Sequence, residues 1–180
     1  MKRFLGVLAV TTLFASVAAD SAQAQRIDNA RPVTIGLAAG LSMPTGDFGD
    51  SFKSGYNITG SLGFRPAAVP FGLRAEVGYE SHDVDSPADF SLSTLYGTLN
   101  GVFDIGSGAT GMAPYLIAGL GMYRFSGDDM DSMTDFGING GGGVKFALSG
   151  FTTFVEARYH HVFSEDDALT FIPITFGVQF

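Results

Sequence analysis

The chain has 180 residues, no cysteine and a formal net charge of −8. That length holds one domain, and without cysteine both a disulfide framework and a thiolate metal site are excluded. The acidic balance opposes a nucleic-acid partner and implies repulsion from anionic lipid head groups unless cations intervene.

Met1-Lys2-Arg3 forms a short basic opening, residues 4–14 an apolar run, and Ala22-Gln23-Ala24 a small-x-small cleavage pattern. The run is shorter than the roughly 20 apolar residues of a membrane helix, so residues 1–24 are expected to be a signal peptide. Val17-Ala18-Ala19 is an alternative cut. The expected mature domain is 25–180, and loss of Lys2, Arg3 and Asp20 moves its net charge from −8 to −9.

Eight segments with a period of two follow. The first, 33–43, places Val33, Ile35, Leu37, Ala39, Leu41 and Met43 on one face. The second, 56–64, presents Tyr56, Ile58, Leu62 and Phe64. In the third, 71–80, Phe71, Leu73, Ala75, Val77 and Tyr79 alternate with Gly72, Arg74, Glu76, Gly78 and Glu80. The fourth lies within 90–104, where Leu95, Leu99 and Phe103 share a face. Leu92 has the opposite parity there, which predicts a bulge near Ser93-Thr94.

The fifth segment, 113–125, is apolar throughout at Tyr115-Leu116-Ile117, so its facing is open. The sixth, 136–146, carries Phe136, Ile138, Val144 and Phe146 around the run Gly140 to Gly143. In the seventh, 151–161, Phe151, Thr153, Val155, Ala157 and Tyr159 oppose Thr152, Phe154, Glu156, Arg158 and His160. The eighth, 172–180, is apolar at every even position from Ile172 to Phe180.

Connections at 65–70, 105–112 and 147–150 are short; those at 44–55, 81–89, 126–135 and 162–168 are acidic, and most of them are longer. Unequal loops at the two rims, with no helical span after the export segment, predict an all-β fold. The expected form is an eight-stranded antiparallel up-and-down transmembrane β-barrel. Glycine inside the strand patterns fits a narrow closed barrel, where it makes room for bulky neighbours and sharp curvature.

With the apolar faces in lipid, Arg74, Glu76, Glu80, Glu156, Arg158 and His160 point inward as an interior charge network. Burying charge is expensive unless it is paired, so Arg and Glu of strands three and seven are expected to pair. A filled polar core is one reading of these residues; a narrow path for small solutes, lined by the same side chains, is another. Aromatic residues such as Tyr56, Phe64, Phe71, Tyr79, Phe103, Tyr123, Phe125, Tyr159 and Phe180 are expected to form interfacial girdles. Phe48, Phe52 and Phe90 belong to the same expectation.

The loops bear an acidic crown that includes Asp47, Asp50, Asp83, Asp128, Asp129, Asp131, Asp166 and Asp167. Hard divalent cations could bridge it to lipopolysaccharide phosphates. Asp128-Asp129-Met130-Asp131 lacks the spacing of a calcium loop, so no metal site and no cofactor are expected. His160, His161, Ser164 and Glu165 lie close in sequence, as an esterase would need. Adjacent histidines on a strand point to opposite sides, so no catalytic set is expected.

Three stretches carry a resemblance: Val33-Thr34-Ile35-Gly36-Leu37, the segment from Ala113 to Gly121, and the end Val178-Gln179-Phe180. In them the chain resembles the OmpA/OmpX-like outer-membrane β-barrel domain family. The resemblance implies residence in the cell outer membrane among lipid and lipopolysaccharide. It also implies insertion by the barrel-assembly machinery, with Phe176, Val178 and Phe180 as the assembly signal. The family contains adhesion, surface-protection and envelope-stabilising proteins. A non-enzymatic structural or surface-interaction role, with an extracellular ligand at the acidic loops, is therefore the leading expectation. A porin-like small-solute pore, a lipid A-modifying hydrolase and a soluble lipocalin-like binder are the alternatives.

Overall fold

A computed structural model describes residues 32–46, 53–66, 71–83, 91–105, 111–127, 132–164 and 168–180. The expected export segment, the tips of the four acidic connections, and Phe48, Phe52 and Phe90 lie outside the described residues. Eight strands follow one another: β1 (Val33–Thr45), β2 (Gly55–Phe64), β3 (Phe71–Asp83), β4 (Ser91–Asp104), β5 (Met112–Gly127), β6 (Met133–Ala147), β7 (Thr152–Val162) and β8 (Leu169–Gln179). Each pairs antiparallel with the next, and β8 pairs with β1 to close the barrel. Closure leaves no open edge, so backbone donors and acceptors are satisfied without water.

The side chains are arranged inside out relative to a water-soluble sheet. Leu41 and Val77 are 66% and 63% exposed, whereas Glu80, one pleat from Val77's row, is 0% exposed. Strand parity enforces this, because successive side chains take opposite faces. The outer face is a continuous apolar wall, including Ile35, Leu37, Ile58, Leu62, Leu73, Leu95, Leu99, Leu116 and Leu120. Such a surface is stable only against another apolar medium.

Strand ends run further than the sequence period indicates: β1 reaches Thr45, β3 reaches Asp83 and β5 reaches Gly127. The expected bulge near Ser93-Thr94 is absent. Glu80, Ser81 and His82 of β3 pair in unbroken register with Thr94, Ser93 and Leu92 of β4. Leu92 instead points into the lumen, where it packs in a cluster with Tyr96, Tyr123, Phe125, Val162 and Phe171. The facing of β5 also resolves: Tyr115, Ile117, Tyr123 and Phe125 point inward, while Leu116, Leu120 and Met122 face out. Tyr123 and Phe125 therefore do not belong to an interfacial girdle.

Glycine lines the inner wall beside several of the large side chains that cross the lumen. A Cβ at Gly78 would lie 2.2 Å from the Tyr96 ring, and one at Gly177 would lie 2.3 Å from Phe154. On β6, Gly141 and Gly143 stand opposite Arg158 and Glu156 of β7. A Cβ at Gly143 would fall 2.7 Å from the Tyr115 hydroxyl. Gly97 faces outward, and its nearest neighbour would be 3.9 Å away. At the β6–β7 turn Gly150 has φ of +90°, which favours glycine for a different reason, the absence of a Cβ clash with its own backbone.

These two glycine environments predict opposite responses. Gly78→Val should lower unfolding stability in lipid by about 1–3 kcal/mol through overpacking, whereas Gly97→Val should leave the urea unfolding midpoint near that of the parent.

Candidate functional site

Among the described residues charge of both signs gathers in the lumen, which is layered. At the rim of the short turns, Asp104 at the end of β4 holds both Arg65 (Nη2–Oδ2 2.8 Å) and Lys145 (Nζ–Oδ1 2.8 Å). Lys145 Nζ also sits 4.8 Å from the centre of the Tyr115 ring, a cation–π distance. Above them Val102, Tyr115, Ile117 and Phe154 form an apolar layer, with Ala38 packed against it.

Further in, four charges close into a ring. Arg74 Nε lies 3.0 Å from Glu76 Oε1. Arg158 Nη1 lies 2.6 Å from Glu76 Oε2, and Arg158 Nε lies 2.8 Å from Glu156 Oε1. Arg74 Nη2 donates to Glu156 Oε2, which completes the circuit. All four side chains are buried. Polar neighbours satisfy the remaining lone pairs: Asn100 Nδ2 (2.8 Å) and Thr98 Oγ1 (3.2 Å) donate to Glu76, and Tyr115 Oη (2.6 Å) donates to Glu156.

Local structure explains the ring. Arg74 and Glu76 are two residues apart on β3 and therefore on one face, as are Glu156 and Arg158 on β7. The tiny inner residues Gly141 and Gly143 beside β7 leave space for these four side chains to meet.

Glu80 and His160 also point inward but stand apart from the ring, toward the rim of the acidic connections. His160 Nδ1 is 2.8 Å from the Tyr123 hydroxyl, and its ring stacks on Phe171 at 4.8 Å. Tyr96 joins this layer through its hydroxyl, 3.1 Å from Thr59 Oγ1. Leu92, Phe125, Val162 and Phe171 cap the lumen above it. The aromatic side chains Tyr96, Tyr115, Tyr123 and Phe171 are lumen components that sequence reading missed, beside Phe154, which it placed on the inner row of β7. The only sequence signal of these four is strand parity, and on β5 and β8 no charged residue shares their row to mark it as the inner one.

The histidine pair does not assemble. His161 lies on the outer side of β7, its ring 6.4 Å from Tyr159 and 4.8 Å from Phe163. Glu165 is outside the described residues. Among the described residues no group of three or more His, Cys, Asp or Glu could hold a metal ion. At the chain's end, Phe176 and Phe180 face outward, and Phe180 exchanges backbone hydrogen bonds with Ile35 of β1 (2.9 and 3.2 Å).

An apolar girth around a charged, buried lumen defines an eight-stranded barrel of the bacterial outer membrane. Residues 7–180 match the family described as "Outer membrane protein beta-barrel domain", and the chain belongs to it. Neisserial surface protein A (NspA) has a similar solved structure, with 20% identity over 83% of this chain and 96% of that one, at a TM-score of 0.63. OprG from Pseudomonas aeruginosa is 14% identical over 82% and 95% of the two chains, with a TM-score of 0.54. The outer membrane enzyme PagL is 17% identical over 81% and 97%, with a TM-score of 0.50. At these identities the likeness is one of fold. No curated protein matches the chain.

The ring makes a distinguishing prediction. Arg74→Ala strands Glu156 and Glu76 and should cost about 3–5 kcal/mol in lipid-bilayer unfolding, while replacing all four charged residues with apolar ones of similar volume should cost clearly less. Equal losses would show that packing volume, not charge pairing, governs the layer.

Proposed function

We propose that the protein is a non-enzymatic integral outer-membrane barrel with a structural or surface-interaction role, offering its acidic outer connections to extracellular partners. The observation that supports this most is the filling of the lumen. Ion pairs at one rim, an apolar layer, the charge ring and an aromatic cap succeed each other along the axis. A path for solutes would have to pass Tyr96, Tyr123 and Phe171, all at 1% exposure or less. Eight strands leave an interior that side chains can fill completely.

The hydrolase reading finds little support in the His160–His161 pair: His160 is engaged by Tyr123 inside the barrel, and His161 lies outside it. Residues 1–24 as a removable export signal and 25–180 as the mature barrel complete the reading. Phe176, Val178 and Phe180 are assigned to recognition by the barrel-assembly machinery, which their place on the outward row beside the β1–β8 seam supports.

In planar bilayers the purified protein should give no stepwise conductance above the lipid background, and lipopolysaccharide incubated with it should keep its mass. Discrete conductance steps would favour the pore, and loss of an acyl chain would favour the hydrolase. Phe180→Ser should slow assembly by the reconstituted machinery more than it lowers the stability of the barrel once folded; equal effects would leave Phe180 a purely structural residue.

A further inference from the structure

Between the charge ring and the aromatic cap lies a cluster of buried polar side chains whose hydrogen bonds protein contacts do not complete. Ser42 of β1, Asn57 of β2 and Glu80 of β3 are 0%, 1% and 0% exposed. Asn57 and Glu80 are direct cross-strand partners, and Ser42 lies on the neighbouring strand, one diagonal away. Among the described residues, Ser42 Oγ, Asn57 Oδ1 and Nδ2, and both Glu80 carboxylate oxygens make no protein hydrogen bond. The Ser42 hydroxyl interacts with Glu80 without closing a hydrogen bond, and Arg158 acts on it only through space. Buried polar groups are almost always satisfied, and a lone buried carboxylate is far costlier than a neutral group.

Among the described residues no lysine or arginine pairs with Glu80, and its neighbour on the same inward row of β3 is the buried imidazole of His82. Arg74 and Arg158 are held by Glu76 and Glu156, and Arg65 and Lys145 by Asp104. Arg124 is exposed on the outer row of β5 and donates to Ser132 Oγ at 2.9 Å, and Lys53 is exposed. The other four basic residues, Lys2, Arg3, Arg26 and Arg31, precede β1, which starts at the opposite rim. The connections at 47–52, 84–90, 128–131 and 165–167 contain aspartate and glutamate but no lysine, arginine or histidine.

We propose that Glu80, Asn57 and Ser42 form an internal binding site for a small monovalent alkali cation of the sodium type. Two carboxylate oxygens, an amide oxygen and a hydroxyl make an all-oxygen donor set, the kind that hard cations prefer; water completes the shell. Charge selects the valence. The ring below carries two arginines and two glutamates and is neutral in itself, so Glu80 contributes one negative charge that one monovalent ion balances. The described residues offer no cluster of carboxylates or imidazoles for a divalent or transition metal. His160 Nε2, also without a hydrogen-bond partner, faces the same layer and suits a bound water better than the ion itself. Acidic connections at this rim raise the local cation concentration.

The test uses the full barrel folded in lipid nanodiscs. Sodium NMR relaxation, and thermal unfolding in sodium chloride against N-methylglucamine chloride at equal ionic strength, should both reveal sodium binding by the parent protein. Glu80→Gln, checked for folding by heat-modifiable migration, should bind sodium at least about tenfold more weakly and unfold alike in the two salts. If that variant does not fold, Ser42→Ala and Asn57→Ala carry the same comparison, each with weakened sodium binding. The proposal is overturned if the parent unfolds alike in both salts, or if the variants keep the parent's sodium response. It is also overturned if calcium, but not sodium, acts through Glu80, or if an infrared carboxylic-acid band lost in Glu80→Gln shows a proton on Glu80 in neutral sodium buffer.

Discussion

Everything in this protein follows from enclosing charge in a cylinder only eight strands round. The lipid-facing wall fixes which row of each strand is apolar, and parity then delivers the other row to the lumen. Arginine and glutamate placed there lose water on every side, so they must meet one another or remain uncompensated. Arg74, Glu76, Glu156 and Arg158 meet in a closed circuit in which each charge touches two of opposite sign. Buried ion pairs contribute little net stability against an apolar substitute. Their consequence is specificity: a shift of β3 against β7 would separate both pairs that cross the lumen, Arg74–Glu156 and Arg158–Glu76, at once.

The backbone and side chains share that narrow space by an exchange of volume. Where Tyr96, Tyr115, Phe154 or Arg158 crosses the axis, the wall opposite or beside it is glycine: Gly78, Gly143, Gly177 and Gly141. Glycine in a strand interior weakens an ordinary sheet, yet closure of the barrel supplies the hydrogen bonds that keep β6 a strand through Gly140 to Gly143. Pro173 shows the same tolerance: the β7–β8 pairing passes from Ala157–Ile174 to His160–Phe171 around it.

Much of this was legible from residue order alone, and the misses have one cause. The alternation in 71–80 and 151–161 marks Arg74, Glu76, Glu156 and Arg158 as one inward set because charge and grease separate cleanly there. It does not reveal the ring itself, since the relative heights of β3 and β7 across the lumen depend on the stagger of the whole barrel. Near the rims the lumen also accepts apolar groups, so polarity no longer marks the inner side. That is why Leu92 reads as a bulge, why Tyr115-Leu116-Ile117 gives no facing, and why Tyr123 and Phe125 read as girdle residues. The Glu80 cluster is invisible in the sequence, because it depends on which hydrogen bonds are left unmade.

The absence of native cysteine permits a direct measurement of the inside-out arrangement. Single cysteines placed in turn from position 73 to 80 and spin-labelled in lipid would report collision with oxygen, which dissolves in the bilayer, and with a water-soluble nickel chelate. Labels at Leu73, Ala75, Val77 and Tyr79 should be open to oxygen, and those at Arg74, Glu76, Gly78 and Glu80 shielded from both quenchers, with a period of two. Water exposure at 74, 76 and 80 together with shielded labels at 73, 75 and 77 would contradict the account.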